Sequence, residues 1–208
     1  MWQSITHYLL LVLESVVGVF GLRLYEEPRY TVLDGVNERI EIRQYAPRRA
    51  AEVALPADNK KARDDAFRIL FDYISGANRS ASGSDLIAMT VPVALDDPEL
   101  VAMTVPVQTG RQDGMMRFFL PAKYNETTPP EPLNARVRLL KIPAQTIAAL
   151  RYSGSGRNAG AKELELIEGL EGSVWQPVGQ PYTLYYDAPF TLPFVRRNEA
   201  AVTVTKAP

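Results

Sequence analysis

Two residue types that build many active sites are nearly missing from this chain. Cysteine is absent, and histidine occurs once, as His7, in 208 residues. No disulfide framework, thiolate metal site, Cys-x-x-Cys-His motif or thiol nucleophile can exist, and the lack of cysteine fits any compartment. A single histidine near the N-terminus also excludes a histidine-cluster metal site and a Ser-His-Asp triad within the body. An excess of either charge is missing too. There are 23 basic and 24 acidic side chains, which argues against a nucleic-acid partner, because such partners select a basic surface. A phosphate loop is the last absence. Gly154-Ser155-Gly156 precedes a helical pattern, but no Gly-Lys-Ser or Gly-Lys-Thr follows. The segment therefore reads as a flexible strand-helix connection.

A long apolar run occurs in one place, from Ile5 to Leu24, interrupted by Glu14. It is about long enough to span a bilayer as a helix. His7, Glu14, Gly18 and Gly21 fall along one helical stripe, suited to contact with a partner helix in a membrane. Glu14 is costly at mid-bilayer. The segment lacks the basic start and small-residue cleavage site of a secretory signal. The expectation is a retained apolar helix over residues 1–25, with membrane contact through residues 5–24. The alternative is a helix packed on a soluble cytoplasmic body. Residues 26–208 form that body, and the sequence sets no oligomeric state for it.

The body says one phrase twice. Ile87 to Val93 reads IAMTVPV, and Val101 to Val107 reads VAMTVPV. Both are β-branched and uncharged, which predicts two buried strands, and the Asp97-Pro98 turn between them predicts an antiparallel pair. Pro92 and Pro106 cannot donate to a ladder, so each is expected at an edge or bulge. Met89 and Met103 are either hairpin packing or soft contacts for a flat apolar ligand.

Around this phrase the periodicity alternates between two and 3.6. Strands are expected at Tyr30 to Leu33, Glu38 to Tyr45 (with one wet, charged face), Arg49 to Leu55, Met115 to Leu120, Arg136 to Ile142, Thr146 to Arg151, Tyr182 to Tyr186 and Ala200 to Thr205. A helix is predicted from Lys60 to Ile74, capped near Asn59, with a face of Ala66, Phe67, Leu70, Tyr73 and Ile74. A second helix shows a face of Ala161, Leu164, Ile167 and Leu170. The order strand, strand, helix, strands occurs twice, which suggests a duplicated α+β unit.

Several separated motifs share a direction. VNERIEIRQYAPRRAAEV, FDYISGAN, IAMTVPV, FFLPAKY, TTPPEPLNARV and YDAPFTLPFVRRNEAAVTV occur in this order. Together they closely resemble the SOUL haem-binding protein family, from about Tyr30 to Thr205. The resemblance implies an α+β fold, a distorted β-barrel of two βαββ-like halves with two long helices packed on it. It implies non-covalent binding of haem or a related tetrapyrrole near the first helix and the loop before Arg196-Arg197-Asn198-Glu199. It further implies carriage or buffering rather than an enzyme. Related barrels serve as effector-binding domains of bacterial regulators, so a module for another amphipathic ligand is the alternative, ahead of a haem-degrading enzyme.

A tetrapyrrole needs a broad apolar face and cations for its propionates. By this resemblance the candidate binding residues are Arg63, Phe67, Arg68, Leu70 and Phe71 on the first helix, with Phe190 and Leu192 on the loop. Some family members carry a lysine where Thr191 and Leu192 stand, and some use a histidine on iron, which this body lacks. Tyr73, Met89 or Met103 are nominal ligands that read more simply as packing. The expected mode is apolar stacking without a strong axial ligand or any catalytic residue. The RRNE run reads as structural, its arginine forks and Asn198 amide tying the final strand to carboxylates and carbonyls, with Asp187 a candidate partner.

Overall fold

The computed structural model of the chain describes residues 26–56, 59–80, 83–96, 114–187 and 191–207. The expected N-terminal helix, the second copy of the repeated phrase with Met103, and Phe190 lie outside the described residues. The elements in order are β1 (Tyr30–Val36), β2 (Ile40–Tyr45), β3 (Arg48–Leu55), α1 (Lys60–Ile74), β4 (Asn78–Arg79), β5 (Val93–Asp96) and β6 (Gly114–Phe119). There follow α2 (Lys123–Glu126), β7 (Glu131–Pro132), β8 (Arg138–Ile142), β9 (Gln145–Ser153), α3 (Ala159–Gly169), β10 (Trp175–Tyr185), a 3-10 turn at Pro193–Val195, and β11 (Arg197–Lys206).

Helix α1 follows from local sequence. Asn59 caps it, its Oδ1 accepting the Ala62 N–H at 2.9 Å, which satisfies one of the unpaired amides of the first turn. At the other end Ser75 donates its N–H to Phe71 O, and Gly76 takes the positive φ of +110° that ends the helix. The buried face is Ala66, Ile69, Leu70, Tyr73 and Ile74. It is the predicted face, turned slightly so that Ile69 enters and Phe67 is half-buried. Helix α3 differs more. Glu163, Leu166 and Leu170 are buried, while Ala161 and Leu164 are exposed. Glu163 faces inward because Thr183 on β10 donates its hydroxyl to Glu163 Oε1 at 2.5 Å.

Nine antiparallel strands form one sheet in the order β1-β2-β9-β11-β10-β5-β6-β3-β8, and β4 and β7 pair separately. From β2 to β8 the order keeps its form when the halves are exchanged, β2 for β8, β3 for β9, β5 for β10 and β6 for β11. Each half thus lends its first strand to the other, and β5 meets β10 in the middle. Only Ala46 and Pro47 connect β2 to β3, although one lies next to each edge. The sheet must curl to let them meet.

It curls without closing. Among the described residues β1 pairs only with β2, and β8 only with β3, so the expected barrel is corrected to an open, curled sheet. The physical obstacle is visible in β1, which is mostly exposed and shifts register between Val32 and Asp34. Such an irregular edge ladder does not template a further strand.

The curl makes three cores. Helix α1 covers Val53, Leu55, Val93, Met116 and Phe118 on the outside of one half. Helix α3 covers Ile40, Ile42, Leu150 and Val202 on the outside of the other. Between them the inner face gathers Tyr45, Ala50, Phe119, Ile147, Leu184 and Tyr186.

The first copy of the repeated phrase is not the strand expected. Only Val93 enters β5, while Thr90 makes a lone bridge to Glu26. Pro92 has no N–H to give a ladder. Around it Val91 donates its N–H to Glu26 O, and the Thr90 hydroxyl donates to Phe119 O. Instead β5 pairs with β6 and β10. Met89 packs partly buried against the α1 core.

Candidate functional site

The candidate face on α1 divides by helical angle. Arg63, Phe67 and Phe71 recur every four residues and share one flank. The Phe67 and Phe71 rings stack with centroids 6.2 Å apart and planes 12° apart, and Phe118 of β6 meets Phe67 edge-on at 5.3 Å. Phe71 is 45% exposed, a large apolar ring left in water. Arg63 is half-buried one turn before Phe67. Arg68 lies farther round the helix, where its Nη2 pairs with Asp65 Oδ1 at 2.6 Å, and Arg136 reaches the other carboxylate oxygen at 2.7 Å. The Arg136 and Arg68 hydrogen bonds hold the Asp65 carboxyl below its usual range. Leu70 is fully buried and supports the face from beneath. Leu192 is exposed and leads into the Pro193–Val195 turn, which packs on β9. Helix α1 packs on β3 and β6, so the two candidate regions rest on different halves of the sheet.

Two shallow clefts border α1. One, about 750 Å³, lies at its N-terminal end between Pro56, Asn59, Asp65 and Arg68. The other, about 440 Å³, runs along the flank opposite Phe71, between Ile69, Tyr73, Leu133 and Asn134. Tyr73 is buried there, and its hydroxyl donates to Pro130 O at 2.9 Å. Burial pushes its pKa upward, which opposes a phenolate role on a metal. Among the described residues no group of three histidine, cysteine or acidic side chains is placed to hold a metal ion.

The charged face of β2, read from sequence as wet, divides: Glu41 is exposed, while Arg43 points into the curl and is buried. Its Nη1 and Nη2 donate to Glu199 Oε2 and Oε1 at 2.6 and 3.1 Å, and its Nε donates to Glu41 at 2.8 Å. Arg197 donates Nη2 to Glu199 Oε1 at 2.8 Å, and the Tyr186 hydroxyl donates to Oε2 at 2.8 Å. Glu27 accepts from Arg197 Nη1 at 3.2 Å. Burial opposes the charge on Glu199, but the Arg43 fork, with Arg197 and Tyr186, outweighs it and holds the carboxyl below the ordinary range. The rest of the RRNE run is structural as expected. Asp187 accepts the Arg197 backbone N–H at 2.6 Å, Arg196 Nε donates to Thr191 O at 2.6 Å, and Asn198 donates to Gly154 O at 3.0 Å.

Sequence reasoning passed over Arg48. It opens β3 on the inner face and is 7% exposed. Its guanidinium lies 4.0 Å from the Tyr45 ring centroid and 4.6 Å from that of Phe119. Among the described residues its hydrogen bond is Nη2 to Gln145 Oε1 at 3.2 Å, and its buried Nε has no partner. Removing such an ion from water costs several kcal/mol. Two cation–π contacts return about 0.5–2 kcal/mol each. Burial lowers the pKa of Arg48 against the opposing influence of Tyr182, Tyr45 and Tyr186. The available sequence signal was Pro47, which ends the β2 connection and fixes Arg48 as the first inward residue of β3.

The chain is thus an α+β sheet curled over an inner polar network, with helices α1 and α3 packed on its outside. The chain belongs to the SOUL heme-binding protein family, whose model matches residues 25–203. None of the curated proteins compared with it matches. Among solved structures the EcmrR C-terminal domain aligns with a TM-score of 0.59 at 11% identity, covering 81% of this chain and 98% of that one. An uncharacterized conserved protein from Listeria innocua aligns at 0.53 and 12% identity, covering 80% and 92%. A hydrolase from the same organism aligns at 0.50 and 12%, covering 82% and 94%. At these identities the likenesses establish the fold alone.

Proposed function

We propose that the protein binds haem or a related tetrapyrrole non-covalently, as a carrier or buffer rather than an enzyme, on the Phe67–Phe71 flank of α1. The observation that carries this reading is the exposed Phe71 ring lying parallel on Phe67 with Phe118 behind it. That is a flat, rigid apolar ledge with a cationic side chain, Arg63, one turn away. The macrocycle supplies a flat apolar surface and two carboxylates when bound. Phe71 and Phe67 exclude water from its face, and Arg63 orients a carboxylate edge. Arg68 already holds Asp65, which leaves it an outer, screened role. Residues 5–24 attach the body to a membrane in this reading.

Replacing both Phe67 and Phe71 by alanine should weaken haemin binding more than Arg63→Ala, because lost apolar contact exceeds a partly solvated ion pair. Equal binding by the double variant would move the site elsewhere. Reductant with oxygen should leave the bound haem spectrum intact, and ordered loss to a bile pigment would reverse the non-enzymatic reading.

A second reading is an effector-binding module for another amphipathic ligand. The charged and aromatic inner face of the sheet favours it, because that face is more polar than a purely structural core requires.

A further inference from the structure

Among the described residues the inner face of the sheet carries four buried or part-buried arginines, Arg43, Arg48, Arg117 and Arg197, and all but Arg48 are neutralised by carboxylates. Arg43 has Glu199 and Glu41, and Arg197 has Glu199 and Glu27. Arg48 makes no ion pair among the described residues. The nearest carboxylate along its own strand face, Glu52, is taken by Arg117 at 2.8 Å and Arg138 at 2.7 Å. What surrounds Arg48 is neutral: the faces of Tyr45 and Phe119, the Gln145 amide, and the tyrosines 182 and 186. The two rings lie against the guanidinium, whose donors lie along its edge. One of those donors, Nε, is buried and has no hydrogen-bond partner among the described residues.

We propose that the inner face of the curled sheet holds a ligand site for a small carboxylate-bearing organic molecule, with Arg48 as its anchor. A carboxylate accepts two parallel bonds from a guanidinium edge and supplies the negative charge that this position lacks. The amide of Gln145 gives a further polar contact. The Tyr45 and Phe119 rings give an apolar or aromatic body something to lie against. Gln145, Tyr182 and Ile142 are only half-buried, so solvent reaches this end of the inner face. The site is separate from α1, which lies on the outside of the sheet, and does not rest on the tetrapyrrole reading.

The test uses the full chain, with benzoate as probe and benzamide as its uncharged counterpart. Thermal unfolding and the arginine Nε–H resonances are followed as each is added. Benzoate should raise the melting temperature saturably and shift the Arg48 Nε–H signal, and benzamide should do neither. Arg48→Met should abolish the response, and Arg48→Lys should weaken benzoate by about tenfold, since lysine cannot form the fork. Haemin binding should be unchanged in both variants. The proposal is overturned by a wild-type chain that ignores benzoate, or by an Arg48→Met chain that responds as wild type does. If Arg48→Met does not fold, Arg48→Lys decides, and undiminished affinity in it overturns the proposal.

Discussion

Arg43 and Glu199 meet as a two-bond fork inside the curled sheet, at 2.6 and 3.1 Å, although 156 positions separate them in the chain. Strand β9 lies between the strands that carry them. The pair therefore exists only when β2, β9 and β11 are all in register, and it joins residues from the two halves of the chain. Replacing Glu199 by alanine leaves Arg43 and Arg197 facing each other without their shared carboxylate. The expected loss is about 3–5 kcal/mol, read from the denaturant midpoint at neutral pH. A loss under about 1 kcal/mol, the worth of an exposed pair, would mean that water reaches the network.

The same carboxylate predicts an acid limb. Its pKa is lower folded than unfolded, so its stabilisation is fully present above the unfolded value of about 4.3. It fades as pH falls through the lower, folded value. The wild-type chain should lose stability steeply on acidification, and Glu199→Gln, already weaker at neutral pH, should show a flatter acid limb. Denaturant midpoints across this range give the slope, and parallel slopes in the two proteins would assign the acid sensitivity to other groups.

A local prediction concerns the start of α1. Asn59→Ala removes the cap on Ala62 N–H and should cost about 1 kcal/mol, measured by denaturant unfolding. Asn59→Asp should retain the cap and most of the stability.

The contrast between these residues marks what the sequence could disclose. Helix α1 runs from Lys60 to Ile74 as its pattern predicts, because cap, apolar period and glycine stop are all local signals. Part of the RRNE run was legible as a tie for the same reason, since Arg196 and Arg197 meet Thr191 and Asp187 within ten residues, whereas Asn198 and Glu199 reach partners distant in the chain. The alternation in β2 was also legible, but not its meaning. Period two distinguishes two faces and cannot say that the curl buries Arg43 while Glu41, on the same face, stays exposed. The buried Arg43 and Arg48 depend on strands brought together from afar. The first copy of the repeated phrase misled because its β-branched residues promised a ladder that Pro92 does not supply. In α3 the apolar period chose Ala161 and Leu164, while one buried hydrogen bond to Glu163 turned the helix.

The body is tied down from its first described residue. Glu26 bridges Thr90 and accepts the Ala122 N–H at 2.8 Å, and Glu27 meets Arg197. A chain shortened to residues 26–208 should stay soluble and fold, while the full chain sediments with membranes. No helix among the described residues is long and apolar enough to cross a membrane, so sedimentation of the shortened chain as well would place the membrane contact in the body. A soluble full chain whose shortened form aggregates would make residues 5–24 a cover for the sheet.

The central claim is tetrapyrrole binding by a body without histidine, and titration of the full chain with haemin tests it most directly. The account predicts a saturable Soret change that ends near one haemin per chain, without the spectral signature of imidazole ligation. A change no larger than that given by an unrelated apolar protein would contradict it.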